Sequence, residues 1–423
     1  MTHPSTIADS GSMGPPAPAR RRPLWPAYAC ESFSSVGTTL LQVGIFFYTR
    51  HYFGWGMREN FLLACGQGAV YVAGSLAAAR VVERFGGRRQ GLVVIYSVLT
   101  IVSLLALAAA RSPCMLVVAL MAHTLIAAGN WPAVESLVTA GADAHAMSHR
   151  VGMYNLVWSS TNALTFAASG SVIEHWRAGL FVVPAIAHAL SAALMIACRS
   201  VEPTAAEAAA HAHVEPEPEL LRKRTLAMWL ARISLPATYV VVYSLMAMMP
   251  SLPVMRRLDP GAATLVGSAW MAARFGVFIA LGVTRWWHTR PSLLLASAAV
   301  MLVAFIGVTV RPSDFFPGAG VSYATDLAAM VAWQVLLGCV MGVIYAGSLY
   351  FGMVLSSGST EHGGYHEALI GLGSILGPGT AALAQWRWPD DVRAGVIAVS
   401  GVIGLSVAAA VVASVRAARR PTP

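Results

Sequence analysis

The chain has 423 residues, of which 57% are apolar and only 11% charged, with a mean hydropathy of +0.63. A water-soluble domain carries about 25% charged residues, so this composition excludes a soluble globular protein and points to a bilayer as the solvent. The formal net charge of +9 reads as a topology signal, with no nucleic-acid partner expected.

Residues 1–25 are rich in Pro, Ala and Arg and have no apolar core before Leu24. A disordered cytoplasmic tail without a cleavable signal peptide is expected there. Twelve apolar runs follow, roughly at 27–48, 59–82, 91–110, 114–139, 151–173, 179–198, 225–249, 262–284, 292–310, 325–355, 367–386 and 394–415. Each is about 18–25 residues or longer, enough to cross about 30 Å of hydrocarbon. Backbone groups in lipid must bond within their own segment, so these are helices; the short alternating segments of a barrel are not seen. The expected organisation is a six-helix bundle over 26–198, a cytoplasmic linker over 199–224, a second six-helix bundle over 225–415 and a cytoplasmic tail over 416–423. With both termini inside, sixteen of the 28 Lys and Arg fall in cytoplasmic segments, nine in outside loops, and Arg80, Arg232 and Arg274 within helices. That excess fits the positive-inside rule and a multi-pass protein of a bacterial cytoplasmic membrane.

Ionisable groups at bilayer depth cost on the order of 2.5–3.5 kcal/mol each, which makes every one a functional candidate. Glu31 lies in the first helix. The fourth carries His123, Asn130 and Glu135, the last near enough to the cytoplasmic surface to pair with Arg150. Trp158 and Asn162 lie in the fifth, and His188 in the sixth reads as a packed histidine. In the linker, the His211-x-His213 pair is weaker as a metal motif than as part of a flexible polar connection. The seventh helix holds Arg232, Tyr239 and Tyr243, the eighth Arg274, the tenth Gln334 and Tyr345. His366 and Glu367 open the eleventh. Arg274, near mid-helix, needs a partner that Glu367 or Asn155 could supply, while Arg232 could snorkel to the inner interface. Trp158, Trp270 and Trp333 could stack on a flat solute or simply pack between helices. Small residues from Gly371 to Gly379 favour close helix approach, with Pro378 able to break the helix. Cys30, Cys65, Cys114, Cys198 and Cys339 show no paired spacing and read as packing residues. No cofactor, metal, nucleotide loop, zinc-protease pair or nucleophile elbow is expected, which disfavours an enzyme or an ATP-driven pump.

The two halves share a register. His366 lies 212 positions after Tyr154, Ser348 the same distance after Ser136, and Ser244 after Ser32, as a duplicated bundle would show. Between the second and third helices, Gly74 to Arg89 read GSLAAARVVERFGGRR. Glu83, Arg84, Gly86, Arg88 and Arg89 resemble the acidic, basic and glycine loop of major facilitator superfamily transporters, with Glu in place of Asp and Gly87 where an arginine usually falls.

With the helix count, the central linker and the internal repeat, that resemblance covers nearly the whole chain. It implies an all-α membrane fold of two pseudo-symmetric six-helix bundles. In the family the loop's acid caps a helix end across the halves and its arginines hold the cytoplasmic gate; the bland alternative is a basic loop that only fixes orientation. The resemblance makes Glu31, His123, Asn130, Arg232, Tyr239, Tyr243, Gln334 and Tyr345 candidates for a central cavity wall, with Trp158 and Asn162 beside them. It puts Asn155, Asn162, Arg274, His366 and Glu367 where the halves slide. The function implied is a secondary active transporter of a small organic solute, monomeric, working by alternating access. Proton coupling would fall to Glu31, with Arg232, Arg274 and Glu367. The alternatives are an uncoupled facilitator, a metabolite or drug exporter, or a non-transporting sensor or scaffold. The absence of Gly-Pro in the fifth helix lowers the drug-antiporter reading.

Overall fold

A computed structural model describes residues 23–142, 144–201, 218–356, 360–389 and 391–419; the tail at 1–22 and the linker centre at 202–217, with His211 and His213, lie outside the described residues. Every regular element among them is helical. Helix α1 covers residues 25–53 as Trp25–Thr38, a π-helical segment Thr39–Gly44, and Ile45–Phe53. The helices that follow in the first half are α2 (Met57–Arg84), α3 (Arg88–Ala109), α4 (Pro113–Thr139), α5 (Ala144–His175) and α6 (Gly179–Ala197). The second half holds α7 (Pro218–Met248), α8 (Pro260–Val283), α9 (Pro291–Thr309), α10 (Tyr323–Ser356), α11 (Thr360–Arg387) and α12 (Val392–Arg419). Thus α7 starts inside the stretch assigned to the linker, and α12 runs past residue 415 as far as Arg419.

Ten of these helices are long and apolar enough to cross a membrane by length and composition. The exceptions are α1, divided by its π segment, and α5, which carries Asn155, Ser159, Ser160, Thr161 and Asn162 in consecutive turns. Both place polar groups toward the middle of the molecule, which is what lowers their hydropathy. Local chemistry sets the helix starts. Pro113, Pro260 and Pro291 sit where a missing N–H costs nothing, and Asp259 caps α8 by accepting from Ala262 N at 2.6 Å. The reversal from α2 to α3 needs Gly86 and Gly87, at φ 79° and 132°.

The halves meet along α2 against α11 and α5 against α8, where small residues allow backbone contact. A Cβ at Gly170 would lie 1.9 Å from the Pro260 carbonyl oxygen, and one at Gly68 would lie 2.7 Å from the Ser374 carbonyl carbon. Both faces of the bundle are closed. On the face where α1 begins and α12 ends, Gly363 abuts Pro132 and Glu135, and Leu349 and Met353 close on Val138 and Tyr154. On the opposite face Gly261 N donates to Glu174 Oε1 at 3.1 Å, and Thr264 Oγ1 donates to the Ala167 carbonyl at 3.1 Å.

The glycine run of α11 serves packing, as its spacing suggests, while the helix continues through Pro378. Its neighbours account for the continuity: a Cβ at Gly373 would fall 2.1 Å from the Pro236 carbonyl oxygen, and one at Gly377 2.7 Å from that of Val240. A Cβ at Gly276 in α8 would meet nothing within 4 Å beyond its own helix. Alanine gains about 1 kcal/mol over glycine in a helix, whereas overpacking costs about 1–3 kcal/mol or more. Gly373→Ala is therefore expected to lower the melting temperature in detergent and Gly276→Ala to hold or raise it; equal shifts would contradict this packing.

Between α8 and α9, His288 stacks on Tyr350 with ring centroids 4.2 Å apart. Burial, then the charges of Arg224 and Arg285, push its pKa down to about 4 from 6.5. The folded state thus binds the proton less tightly than the unfolded chain, so stability from this group is present above pH 6.5 and lost as pH falls toward 4. His288→Phe is expected to flatten the melting temperature across pH 4.5–6.5; an unchanged slope there would exclude the assignment.

Candidate functional site

A cavity of about 90 Å³ lies between the halves at mid-depth. The first half contributes Thr38, Thr39, Gln42, Tyr71, Trp131, Trp158 and Asn162; the second contributes Tyr239, Tyr243, Trp270, Arg274, Tyr345 and Glu367. The π segment of α1 is what turns Thr39 and Gln42 inward together, a use typical of such wide turns at functional sites. Thr39 Oγ1 donates to Asn162 Oδ1 at 2.7 Å, and Tyr243 OH reaches Gln42 Oε1 across the halves at 3.4 Å.

Aromatic rings form most of the wall. Trp158 packs edge-on against Tyr345 at 4.9 Å and Phe278 at 5.4 Å, and its Nε1 donates to Asn155 Oδ1 at 3.1 Å. Arg274 is 3% exposed. Its guanidinium lies 4.5 Å from the Trp158 ring and 4.8 Å from that of Trp270, a cation–π arrangement. It makes no ion pair among the described residues, and its Nε lacks a hydrogen-bond partner. The expected pairing with Glu367 or Asn155 is therefore not formed: Tyr71 OH donates to Glu367 Oε2, and Trp158 occupies Asn155.

Toward the face where α1 begins and α12 ends, three carboxylates are buried close enough to act on one another electrostatically: Glu31, Glu135 and Glu367. Glu31 accepts from Ser35 Oγ at 3.1 Å, while its other oxygen has no partner. Glu135 does not pair with Arg150. That arginine instead donates to the carbonyls of Val138 at 3.2 Å and Ala140 at 2.9 Å, capping the end of α4. Glu135 is left buried, neither oxygen accepting a hydrogen bond. His366 Nδ1 lies 3.1 Å from Ser348 Oγ.

Seven of the predicted cavity and coupling residues line the cavity: Trp158, Asn162, Tyr239, Tyr243, Arg274, Tyr345 and Glu367. Several others do not. His123 is buried inside the first half with its Nε2 3.3 Å from His188 Nε2, because its helix turns that face toward α6. Asn130 and Gln334 are buried with unpartnered amides away from the cavity. Arg232 is half-buried and stacks on Trp229 at 5.6 Å. His188 packs as expected, and Trp333 fills the space beside Gly307. The sequence reading missed Thr38, Thr39, Gln42, Tyr71 and Trp131 as wall residues, and left Trp270 open between stacking and packing; a polar run in an otherwise apolar first helix was the available signal.

In the α2–α3 loop, Arg88 Nε donates to Ser136 Oγ at 2.8 Å and Arg89 to the Met195 carbonyl at 2.9 Å. Both contacts stay within the first half. Glu83 and Arg84 are exposed, so the cross-half helix cap expected of Glu83 is not formed in this closed state.

A sequence profile of the Major Facilitator Superfamily matches residues 27–364. The chain belongs to this superfamily. No curated protein matches it by sequence. Among solved structures, the xylose transporter XylE from E. coli, in a partially occluded inward-open conformation, is similar with a TM-score of 0.67 at 10% identity; the match covers 91% of this chain and 96% of XylE. The nucleoside transporter NupG matches at 0.62 and 9% identity, over 93% of this chain and 98% of NupG. The human organic anion transporter MFSD10 matches at 0.58 and 12% identity, over 93% and 100%. At these identities the likeness establishes the fold, and with the family it makes membrane transport the function class.

Proposed function

We propose that this superfamily member is a secondary active transporter carrying a small organic solute with an anionic group, by alternating access coupled to protons. The observation that carries the substrate class is Arg274: a buried cation facing a cavity between the halves, held by two indole rings and by no carboxylate. A buried charge left without a counter-charge is costly, and a solute carboxylate or similar anion would supply it. The aromatic wall favours a flat or ring-bearing body beside that anion.

Proton coupling rests on Glu31, fully buried in α1 and bonded only to Ser35 on one oxygen. Approach of Arg232 or Arg274 in one conformation only would make its affinity for a proton depend on state. The working orientation has the chain ends on the cytoplasmic side of a bacterial cytoplasmic membrane and the chain acting as a monomer. In that frame the closed face beside Glu135 is the cytoplasmic gate.

The test is counterflow and gradient-driven uptake in proteoliposomes with organic acids, amino acids, sugars, nucleosides and drugs. Saturable exchange of an organic acid supports the reading. Exchange of neutral sugars or nucleosides alone would replace the substrate class. Uptake indifferent to a pH gradient would leave an uncoupled facilitator, and no exchange of any solute a sensor or scaffold.

A further inference from the structure

Glu135 from the first half and His366 and Glu367 from the second each offer a ligand atom, and these atoms lie within 4.8 Å of one another. We propose that these three residues form a binding site for a divalent transition-metal cation that bridges the two halves. The inference goes beyond the transport reading, and its test reads metal rather than flux.

Three features separate this cluster from an ordinary group of acids. The first is the donor set, one imidazole and two carboxylates, which suits Zn²⁺ or Mn²⁺; Mg²⁺ and Ca²⁺ favour oxygen donors. The second is Glu135, which is 1% exposed with neither oxygen in a hydrogen bond. Its Oε2 faces the second half, 3.2 Å from where a Cβ on Gly363 would stand. A buried carboxylate in that condition demands a counter-charge, and none of the ion pairs among the described residues reaches it. The third is the set of outer contacts, with Ser348 at His366 Nδ1 and the Tyr71 hydroxyl on Glu367. Partners of this kind orient ligands around a metal.

The placement implies a consequence for motion. Glu135 rides on α4 and the other two donors on α11, so the full donor set exists only while the face where α1 begins and α12 ends is closed. A bound ion therefore favours that closed state, and opening the face dismantles the site.

The experiment uses the full-length chain purified in detergent, stripped with a chelator and titrated with Zn²⁺, Mn²⁺, Mg²⁺ or Ca²⁺. Bound metal and melting temperature are both recorded. One Zn²⁺ or Mn²⁺ per chain with a rising melting temperature is expected, with no response to Mg²⁺ or Ca²⁺. Loss of an outer partner alone typically weakens metal binding about 10–100-fold, so Glu135→Gln and His366→Gln should each weaken it by about 100-fold or more. Each variant's metal-free melting curve checks that it folds. His123→Gln, which alters the buried His123–His188 contact away from the cluster, should leave binding intact. No stoichiometric metal on the parent protein would overturn the proposal. So would binding that survives both Glu135→Gln and His366→Gln, because the metal would then sit elsewhere, for instance on His211 and His213. Stabilisation by acid alone, without metal, would assign the cluster to protons and equally overturn it.

Discussion

Glu31→Gln is expected to abolish accumulation driven by a pH gradient while leaving counterflow exchange intact. The side chain is fully buried in α1, accepts from Ser35 Oγ and leaves its second oxygen without a hydrogen bond. Glutamine has the same shape as a protonated glutamate but loads and releases no proton. Exchange needs only the binding and reorientation of solute, which a permanently neutral group permits. Concentrative uptake needs the group to change charge once in each cycle, and glutamine removes that step. Counterflow and gradient-driven uptake measured on one proteoliposome preparation separate the two. Unchanged gradient-driven uptake would remove coupling from Glu31, and loss of both activities would make the residue structural or solute-binding.

The second large effect concerns Arg274. A hydrogen bond to a charged group contributes about 1.5–3 kcal/mol, so Arg274→Ala should weaken solute binding by about 10–150-fold. Arg274→Lys should recover only part of that loss. Lysine keeps the charge but lacks the planar guanidinium that lies on Trp158 and Trp270. Equilibrium binding in detergent is the deciding measurement, since it excludes effects on reorientation. If the substituted proteins melt as the parent does and bind equally well, the anion does not meet Arg274. An increase in affinity for Arg274→Ala would show that the cation opposes binding, pointing to a neutral or cationic solute.

The fold was legible because bilayer insertion is a local demand. Each span must satisfy its own backbone, so length and hydropathy mark ten of the described helices outright; the sequence reading counted the first and fifth runs with the others, and their polar content sets them apart in the structure. The loop from Glu83 to Arg89 carried the resemblance that the family match over 27–364 then bore out. Arg274, Tyr239, Tyr243 and Tyr345 of the second half lie on the cavity wall, with Tyr239 and Tyr243 one turn apart on one face of α7, whereas Arg232 lies off it. His123, Asn130 and Gln334 were misplaced because helical pitch gives the spacing of side chains but leaves the rotation of each helix about its axis open. Packing against neighbours decides that rotation.

Partner choice was the other unreadable quantity. Glu135 was expected to pair with Arg150 because the two are near in sequence and at the same depth. In the folded chain Arg150 turns to the carbonyls that end α4, and Glu135 faces His366 and Glu367 instead. Arg274 was expected to find Glu367 or Asn155 and lies between two indoles. By itself the sequence determined the membrane class, the all-helical fold and the family, all set by short-range pattern and composition. The occluded cavity, the arginine without a carboxylate and the meeting of Glu135 with His366 and Glu367 were decided by tertiary structure alone. Each joins residues from two bundles, and their approach depends on helix rotation and docking that no local pattern encodes.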